Sequence, residues 1–170
     1  MSDKSNIEIE KKYIIELPCV DELKQYDKYT VSEIVQTYLP SSGGATHRVR
    51  LRKYADRIVY TETVKVRIDN MSAYEDEREM SASEYESIIE RYKDSSHTLT
   101  KIRHTFEYFG QIFEIDVYPS WRRTCIMETE LETKEAAPKM PPIIKIVSEV
   151  TGDKRYSNAS MSRSFPCELL

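Results

Sequence analysis

The N-terminal segment Glu8-Ile9-Glu10-Lys11-Lys12 contains residue types that suit metal and phosphate chemistry. Alternate side chains of a β-strand point to opposite faces, so Glu8, Glu10 and Lys12 share one face of a predicted strand. Carboxylates bind divalent cations, and an ammonium group binds anions. Taken alone, this strand is more simply interpreted as a charged face in water. The pattern gains weight because it recurs along the chain.

Six later segments also place charged residues of nearly one sign on a single face of a predicted strand. The basic faces contain Arg48, Arg50 and Arg52, then Lys65 and Arg67, then Lys101 and Arg103. The acidic faces contain Glu75, Glu77 and Glu79, then Glu114 and Asp116, then Glu128, Glu130 and Glu132. Solvent-facing strands usually mix polar residues without such order, and here the opposite faces are largely apolar. We therefore expect the charged faces to share one enclosed space.

The pattern predicts an α+β, mainly β fold: a closed eight-stranded antiparallel β-barrel, or tunnel, with helices packed outside. An empty charged interior is costly, so we expect a wet interior that binds a multiply charged ligand together with metal. Arginine and lysine suit phosphate oxygens, and carboxylates suit Mg²⁺ or Mn²⁺. The chain has only 4 glycines and no Gly-rich phosphate loop. This excludes the P-loop and Rossmann modes of nucleotide binding.

The predicted elements alternate between strands and a few short helices. Strands are predicted over residues 7–17, 35–39, 46–54, 58–68, 75–80, 99–108, 111–118 and 124–132. Helices are predicted over residues 21–26, 83–92 and 142–150, the second capped by Ser83 with Glu86 three residues on. Residues 134–142 are a predicted loop. With no internal repeat or linker, residues 1–170 are expected to form a single domain.

Composition excludes some classes of partner. The net charge of −4 argues against a nucleic-acid binder that relies on overall basicity. The N-terminus MSDKSN is polar and no long apolar run follows, so we expect no membrane span and a cytoplasmic location. Cys19, Cys125 and Cys167 match no metal spacing, and we interpret them as reduced thiols. A small-molecule ligand and a monomer or homodimer are expected.

The ordered motifs resemble those of the CYTH family, the triphosphate tunnel metalloenzymes. The family's E-x-E-x-K strand is matched by Glu8, Glu10 and Lys12. Its later motifs are matched by Arg48-Val49-Arg50, Thr63-Val64-Lys65, Glu77-Arg78-Glu79, Lys101-Ile102-Arg103, Phe113-Glu114-Ile115-Asp116 and Glu128-Thr129-Glu130-Leu131. The segments Glu149-Val150-Thr151-Gly152-Asp153 and Tyr156-Ser157-Asn158 look like the tail of bacterial members. Each motif alone is weak, but the ordered set spans nearly the whole chain.

The resemblance implies a role for each matched position. It implies phosphate contacts from Lys12, Arg48, Arg50, Arg52, Lys65, Lys101, Arg103 and Arg123. It implies metal contacts from Glu8, Glu10, Glu77, Glu79, Asp116, Glu128 and Glu130, with Mg²⁺ or Mn²⁺ as cofactor. Glu8, Glu10, Lys12 and Lys65 are the candidate catalytic residues. Two choices stay open: Glu75 or Glu79 for the third acidic pair, and Arg122 or Arg123 for a loop cation.

Three functions remain from the sequence. The first is a metal-dependent inorganic triphosphatase that cleaves tripolyphosphate. The second is a class IV-type adenylate cyclase or a nucleoside- or thiamine-triphosphatase, which needs a site for an organic group that nothing in the sequence marks. The third is a non-catalytic polyphosphate- or nucleotide-binding module, disfavoured because the early and late glutamate pairs are both intact.

Overall fold

The computed structural model describes residues 7–169, and its architecture is mainly β. The strands are β1 (Ile7–Glu16), β2 (Asp27–Leu39), β3 (Ala45–Lys53), β4 (Ile58–Arg67), β5 (Ser72–Met80), β6 (His97–Tyr108), β7 (Gln111–Val117), β8 (Thr124–Glu130) and β9 (Ile146–Glu149). The helices are α1 (Val20–Leu23), α2 (Ala82–Tyr92) and α3 (Asn158–Met161), with a 3₁₀ turn at Lys154–Tyr156. The polar stretch at residues 1–6, used above to argue for a cytoplasmic location without a membrane span, lies outside the described residues.

Strands β1 to β8 form a closed antiparallel ring in the order β5-β4-β3-β2-β6-β7-β8-β1. Residues 10–16 of β1 pair with β8, and residues 7–9 pair with β5, which closes the ring. This confirms the predicted eight-stranded antiparallel tunnel with the charged motif of β1 in its wall. Only three residues of β1 pair with β5, so the closure is narrow.

The ninth strand replaces a predicted helix. Residues 142–150 were expected to be helical because the segment starts with Pro142 and Gly152 lies beyond its end, but Ile146–Glu149 forms β9 and the helix prediction was wrong. Beyond its contact with β5, β1 presents a free edge at Tyr13–Ile15, and β9 pairs with it there. An unpaired strand edge is a strong template for backbone hydrogen bonds. Pairing with this edge therefore outweighs the local helix-forming preference of residues 142–150.

Strand β2 is much longer than the predicted strand over residues 35–39. Its first half was missed because the polar side chain of Ser32 is buried, whereas that of Val31 is exposed. The strand begins with an irregularity between Asp27 and Thr30, where Lys28 adopts φ 53°. A polar face buried in a tunnel inverts the usual hydrophobic pattern and hides the strand from sequence analysis.

Helix α2 packs outside the ring, as predicted. Its Tyr85 is buried against Leu39, Val49 and Met80 on the outward faces of the strands. The N-cap lies two residues earlier than expected: it is Ser81 and not Ser83, and Glu84 completes a capping box. Both serines are followed by glutamate three residues on, so the local signal is degenerate.

Two further apolar clusters complete the core. On the outside of β1, β7 and β8, Phe113 and Met127 pack with Leu23 of α1, which spans residues 20–23 rather than the predicted 21–26. At one end of the ring, Ile14 and Ile126 pack with Met161 of α3. None of the helices within residues 7–169 has the length and apolar character needed to cross a membrane.

Candidate functional site

The ring encloses a cavity of about 910 Å³ lined mainly by charged side chains. The basic lining residues are Lys12, Arg48, Arg50, Arg52, Lys65, Arg67, Lys101, Arg103 and Lys154. The acidic lining residues are Glu8, Glu10, Glu75, Asp76, Glu77, Glu114, Glu128 and Glu130. Nearly all of them lie on the inward face that strand alternation gives to the charged motifs. The cavity thus brings together most of the residues that the sequence placed on charged faces.

The arginines of β3 form one wall and have unused hydrogen-bonding capacity. Arg50 donates to Glu77 at 3.0 and 3.2 Å, and Arg48 lies 3.5 Å from Glu75. The Nε–H groups of Arg48 and Arg50 are buried and have no protein acceptor among the described residues. Burial lowers the pKa of Arg50, and the adjacent Arg48 lowers it further. Buried donors crowded by like charge are stabilised when an anion binds between them.

Lys101, Arg103 and Asp116 form a buried ion network at the deep end of the cavity. Lys101 Nζ lies 2.5 Å from Asp116, and Arg103 donates to Asp116 at 2.6 and 2.7 Å. Arg103 also donates to Glu128 at 3.0 Å. Burial lowers the pKa of Lys101 to about 8. The nearby positive charge of Arg103 also lowers this pKa, whereas the negative charge of Asp116 raises it. The network fixes its cations in place while they face the cavity.

Lys12 joins this network from β1. Its ammonium group lies 2.7 Å from Glu128. Burial lowers the pKa of Lys12, but Glu128 and Glu10 outweigh that effect, so its pKa is raised overall. Burial raises the pKa of Glu128, but Lys12, Arg103 and Lys101 outweigh that effect and hold this pKa well below its usual range. Lys12 is therefore a fixed cation at neutral pH.

A cluster of glutamates lies at the shallower part of the cavity. Burial and the neighbouring Glu75 raise the pKa of Glu8 to about 7. Burial, Glu114 and Glu10 raise the pKa of Glu130. Lys65 lies 2.5 Å from Glu75 and 3.7 Å from Glu8, and it offsets only part of the repulsion. Crowded carboxylates of this kind gain stability from an added cation.

The donor set fits a hard divalent cation. Carboxylate oxygens are the ligands that Mg²⁺ and Mn²⁺ prefer, and Glu8, Glu10 and Glu130 share one region of the cavity. Within residues 7–169, no three Asp, Glu, His or Cys side chains already converge as a metal-binding group. In this arrangement several of the carboxylates point toward lysine and arginine instead. A metal at this position would draw them together and replace part of those ion pairs.

Exposure identifies an open and a closed end. The side chains of Glu77 and Glu8 are 38% and 35% exposed, whereas those of Lys101 and Asp116 are 1% and 0% exposed. At the buried end, Ile14, Ile126 and the segment around α3 fill the ring. The opening of the cavity therefore lies beside the glutamates, and Lys101 lies at its far end.

Three of the residues assigned from sequence do not line the cavity. Asp116 lies behind Lys101 and Arg103, and both of its oxygens accept hydrogen bonds from these cations. Glu79 is exposed near the end of β5, and Glu75 rather than Glu79 lines the cavity. Arg123 is exposed in the loop before β8, as is Arg122. The backbone N–H groups of both arginines donate to Glu168, so that loop binds the C-terminal segment.

Other lining residues were given no site role by the sequence analysis. Gln36 and Tyr38 project from β2, and Glu114 projects from β7. Strand alternation places Glu114 on the face of Asp116, whereas Gln36 and Tyr38, although inside the predicted strand over residues 35–39, carry no charge that would mark them. Lys154, Ser157, Asn158, Ala159 and Ser160 line the cavity from the C-terminal segment. No periodic charge pattern marks that segment, because its position depends on long-range packing.

Comparison with known proteins places this geometry among solved structures. No protein-family model and no curated protein matches the sequence. The crystal structure of the inorganic triphosphatase NE1496 is similar, with a TM-score of 0.56 and 24% identity over 94% of this chain and 97% of that one.

Two further solved structures are similar at lower identity. The PH1012 protein from Pyrococcus horikoshii OT3 has a TM-score of 0.55 and 18% identity over 74% of this chain and 80% of that one. A proposed adenylate cyclase from Vibrio parahaemolyticus has a TM-score of 0.50 and 10% identity over 74% and 78% of the two chains. At these identities the likeness concerns the fold. The ring of strands with its charged interior is the triphosphate tunnel fold of the CYTH proteins.

Proposed function

We propose that the cavity binds a linear triphosphate and hydrolyses a phosphoanhydride bond with a divalent metal ion, and that inorganic tripolyphosphate is the substrate. The observation that carries this proposal is the pair of buried Nε–H groups of Arg48 and Arg50 without a described protein acceptor. They lie in the same cavity as a glutamate cluster whose carboxylates repel one another. A triphosphate with its metal ion supplies both missing partners.

Each wall then has a distinct role. The cations bind phosphate oxygens: Lys12, Arg48, Arg50, Arg52, Lys65, Lys101 and Arg103. Glu8, Glu10 and Glu130 hold the metal ion, with Glu77 and Glu128 nearby. Mg²⁺ or Mn²⁺ supplies Lewis-acid stabilisation of phosphate charge when bound. Asp116 acts behind the wall by holding Lys101 and Arg103 in position.

The reaction follows from these positions. A water oxygen attacks a terminal phosphorus, the bridging P–O bond breaks, and phosphate and diphosphate leave. A carboxylate of the glutamate cluster accepts the proton of the water. Lys12 and Lys65 neutralise the charge that develops on the transferred group, which is the main source of stabilisation in phosphoryl transfer.

The inorganic substrate is favoured over one with an organic group. A nucleotide or thiamine site needs an apolar or stacking surface beside the phosphates. Among the described cavity residues the only aromatic ring is Tyr38, and its hydroxyl accepts a hydrogen bond from Gln36 at 2.7 Å. We also propose that residues 1–170 form one domain that acts in the cytoplasm.

A product assay tests the proposed reaction. Purified protein is incubated with Mg²⁺ or Mn²⁺ and tripolyphosphate, ATP or thiamine triphosphate. Phosphate, diphosphate and cyclic AMP are then quantified. Phosphate release from tripolyphosphate above the other substrates supports the proposal. Cyclic AMP with diphosphate supports the cyclase alternative, and tight binding without turnover supports a binding module.

A matched pair of variants tests the cavity itself. Lys12→Met removes an inward cation, whereas Lys11→Met removes its outward neighbour, which lies 3.8 Å from Glu149. We expect Lys12→Met, Glu10→Ala and Lys65→Ala each to lower turnover at least about tenfold, or about 1.4 kcal/mol. Lys11→Met should leave turnover unchanged. Equal rates in the two lysine variants would exclude the assignment of the cavity as the active site.

A further inference from the structure

The closed end of the cavity is built by the C-terminal segment. Tyr156 and Met161 are buried against Ile14 and Ile126, whose side chains fill the ring beyond Lys12. The residues between Tyr156 and Met161 face the cavity. The innermost part of the cavity is thus bounded by strands on one side and by this segment on the other.

Asn158 is the residue of this segment that contacts the buried ion network. Its Oδ1 accepts from Tyr118 Oη at 2.7 Å and has a longer contact of 3.5 Å with Lys101 Nζ. Burial raises the pKa of Tyr118 well above its usual range, so the phenol stays protonated and donates. A protonated lysine can only donate as well. The carboxamide oxygen of Asn158 must therefore face these two groups.

This orientation leaves the Nδ2 amide group for another acceptor. No described residue accepts a hydrogen bond from Asn158 Nδ2, and its side chain borders the cavity. The neighbouring cations already have carboxylate partners: Lys101 and Arg103 bind Asp116. Asn158 is thus a neutral donor with a fixed orientation. It lies at the closed end of the cavity, where the leading terminal group of an entering ligand would arrive.

We propose that Asn158 is a positioning residue that donates its amide N–H to an oxygen of the terminal phosphoryl group at the closed end of the cavity. The inference rests on the proposed function, because it assumes that a triphosphate enters lengthwise. A neutral donor suits this place, since it adds a hydrogen bond without adding a further buried charge. Tyr118 and Lys101 fix the direction of that donor from behind.

The competing explanation is that Asn158 only ties α3 to the wall. Asn158→Asp separates the two roles. Aspartate has the same shape, still accepts from Tyr118 and pairs more strongly with Lys101, so a purely structural role is preserved. It lacks the amide donor and repels phosphate, so a phosphate-binding role is lost.

The experiment compares tripolyphosphate affinity and thermal stability in the full-length protein. Isothermal titration calorimetry without metal gives Kd, and a thermal melt without ligand gives Tm. We expect Asn158→Leu to raise Kd about tenfold and Asn158→Asp to raise it further, through loss of a charge-assisted hydrogen bond. The Tm of Asn158→Asp should stay at or above that of the wild type. Ser162→Ala, which removes a 2.8 Å bond to the Ala159 carbonyl, is the control for a disturbed helix and should bind normally.

The outcomes separate this inference from the function on which it rests. Wild-type affinity in Asn158→Asp overturns the donor role while leaving the proposed function intact. An equal loss of affinity in Ser162→Ala and Asn158→Leu also overturns it, since the effect is then structural. If the wild-type protein does not bind tripolyphosphate, the proposed function fails, and this inference fails with it.

Discussion

Substitution of Asp116 by asparagine gives a direct measure of how the buried ion network supports the cavity. Asp116 is fully buried and accepts from Lys101 at 2.5 Å and from Arg103 at 2.6 and 2.7 Å. Asparagine keeps one acceptor oxygen but loses the charge, so two buried cations lose their main counter-ion. Breaking a buried pair from one side typically costs about 3–5 kcal/mol.

The lower end of that range applies here. Glu128 and Glu114 still face Arg103 after the substitution, so its charge is not isolated. We expect Asp116→Asn to lose about 3 kcal/mol of the free energy of unfolding. For a chain of 170 residues this corresponds to a decrease in Tm of about 6–12 °C. Urea denaturation and a thermal melt, both with a metal chelator, measure the two quantities.

A neighbour on the same strand supplies the control. Among the residues that the structure describes, Glu114 forms an ion pair with Arg103 alone, and its side chain is 28% exposed. Glu114→Gln should therefore cost less than about 1 kcal/mol. The reasoning is refuted if Asp116→Asn is as stable as Glu114→Gln but loses the stabilisation that Mg²⁺ gives to the wild type. That result would make Asp116 a metal ligand, as the sequence resemblance implied, and not a structural anchor.

Three further predictions concern pH, helix capping and ligand removal. The pKa of Glu8 is raised to about 7, so its contribution to stability is complete below pH 4.5 and is lost as pH rises through about 7. In the absence of metal, Glu8→Gln should therefore be more stable than the wild type at pH 8, by on the order of 1 kcal/mol after allowance for the partial exposure of Glu8. At pH 5 the two proteins should have nearly the same stability. An equal gain in thermal melts at both pH values contradicts this prediction. Ser81→Ala removes the N-cap of α2 and should cost about 1 kcal/mol in urea denaturation, whereas Ser83→Ala, at the position predicted from sequence, should cost less; the reverse order would contradict the observed cap. Tripolyphosphate at 100 times its Kd should stabilise the metal-free protein by about 2.7 kcal/mol, and its removal by dialysis should return Tm to the starting value; an unchanged Tm would exclude binding to the folded state.

The sequence predicted the fold because charge and strand periodicity agreed over most of the chain. On β1, β3 and β6 the charged residues alternate with apolar ones, so each strand and its inward face can be read locally. Closure into a ring was predicted because it encloses the charged faces of the strands and leaves their apolar faces outside, where helices can cover them. The single-sign rows were sufficient to predict a cavity lined by residues such as Arg50 and Glu8.

The elements that were mispredicted are those decided by distant partners. The first half of β2 has a polar inward face, and β9 forms only because β1 offers a free edge. The choice between Ser81 and Ser83 required the start of α2 to be fixed by its packing. The local sequence is misleading for these segments. In β2 the buried face is polar and not apolar, and at α2 two serines fit the capping pattern equally well.

Residue types and their order determined that this chain can enclose charges of both signs, because alternation along a strand is a local property. Tertiary structure alone decided which charges meet. It placed Asp116 behind the cavity wall, left Arg123 in an exposed loop, and brought Asn158 of the C-terminal segment to the closed end. Those positions depend on strand pairing and on apolar packing between residues more than a hundred positions apart, as between Ile14 and Met161. No local spacing in the sequence encodes such a contact.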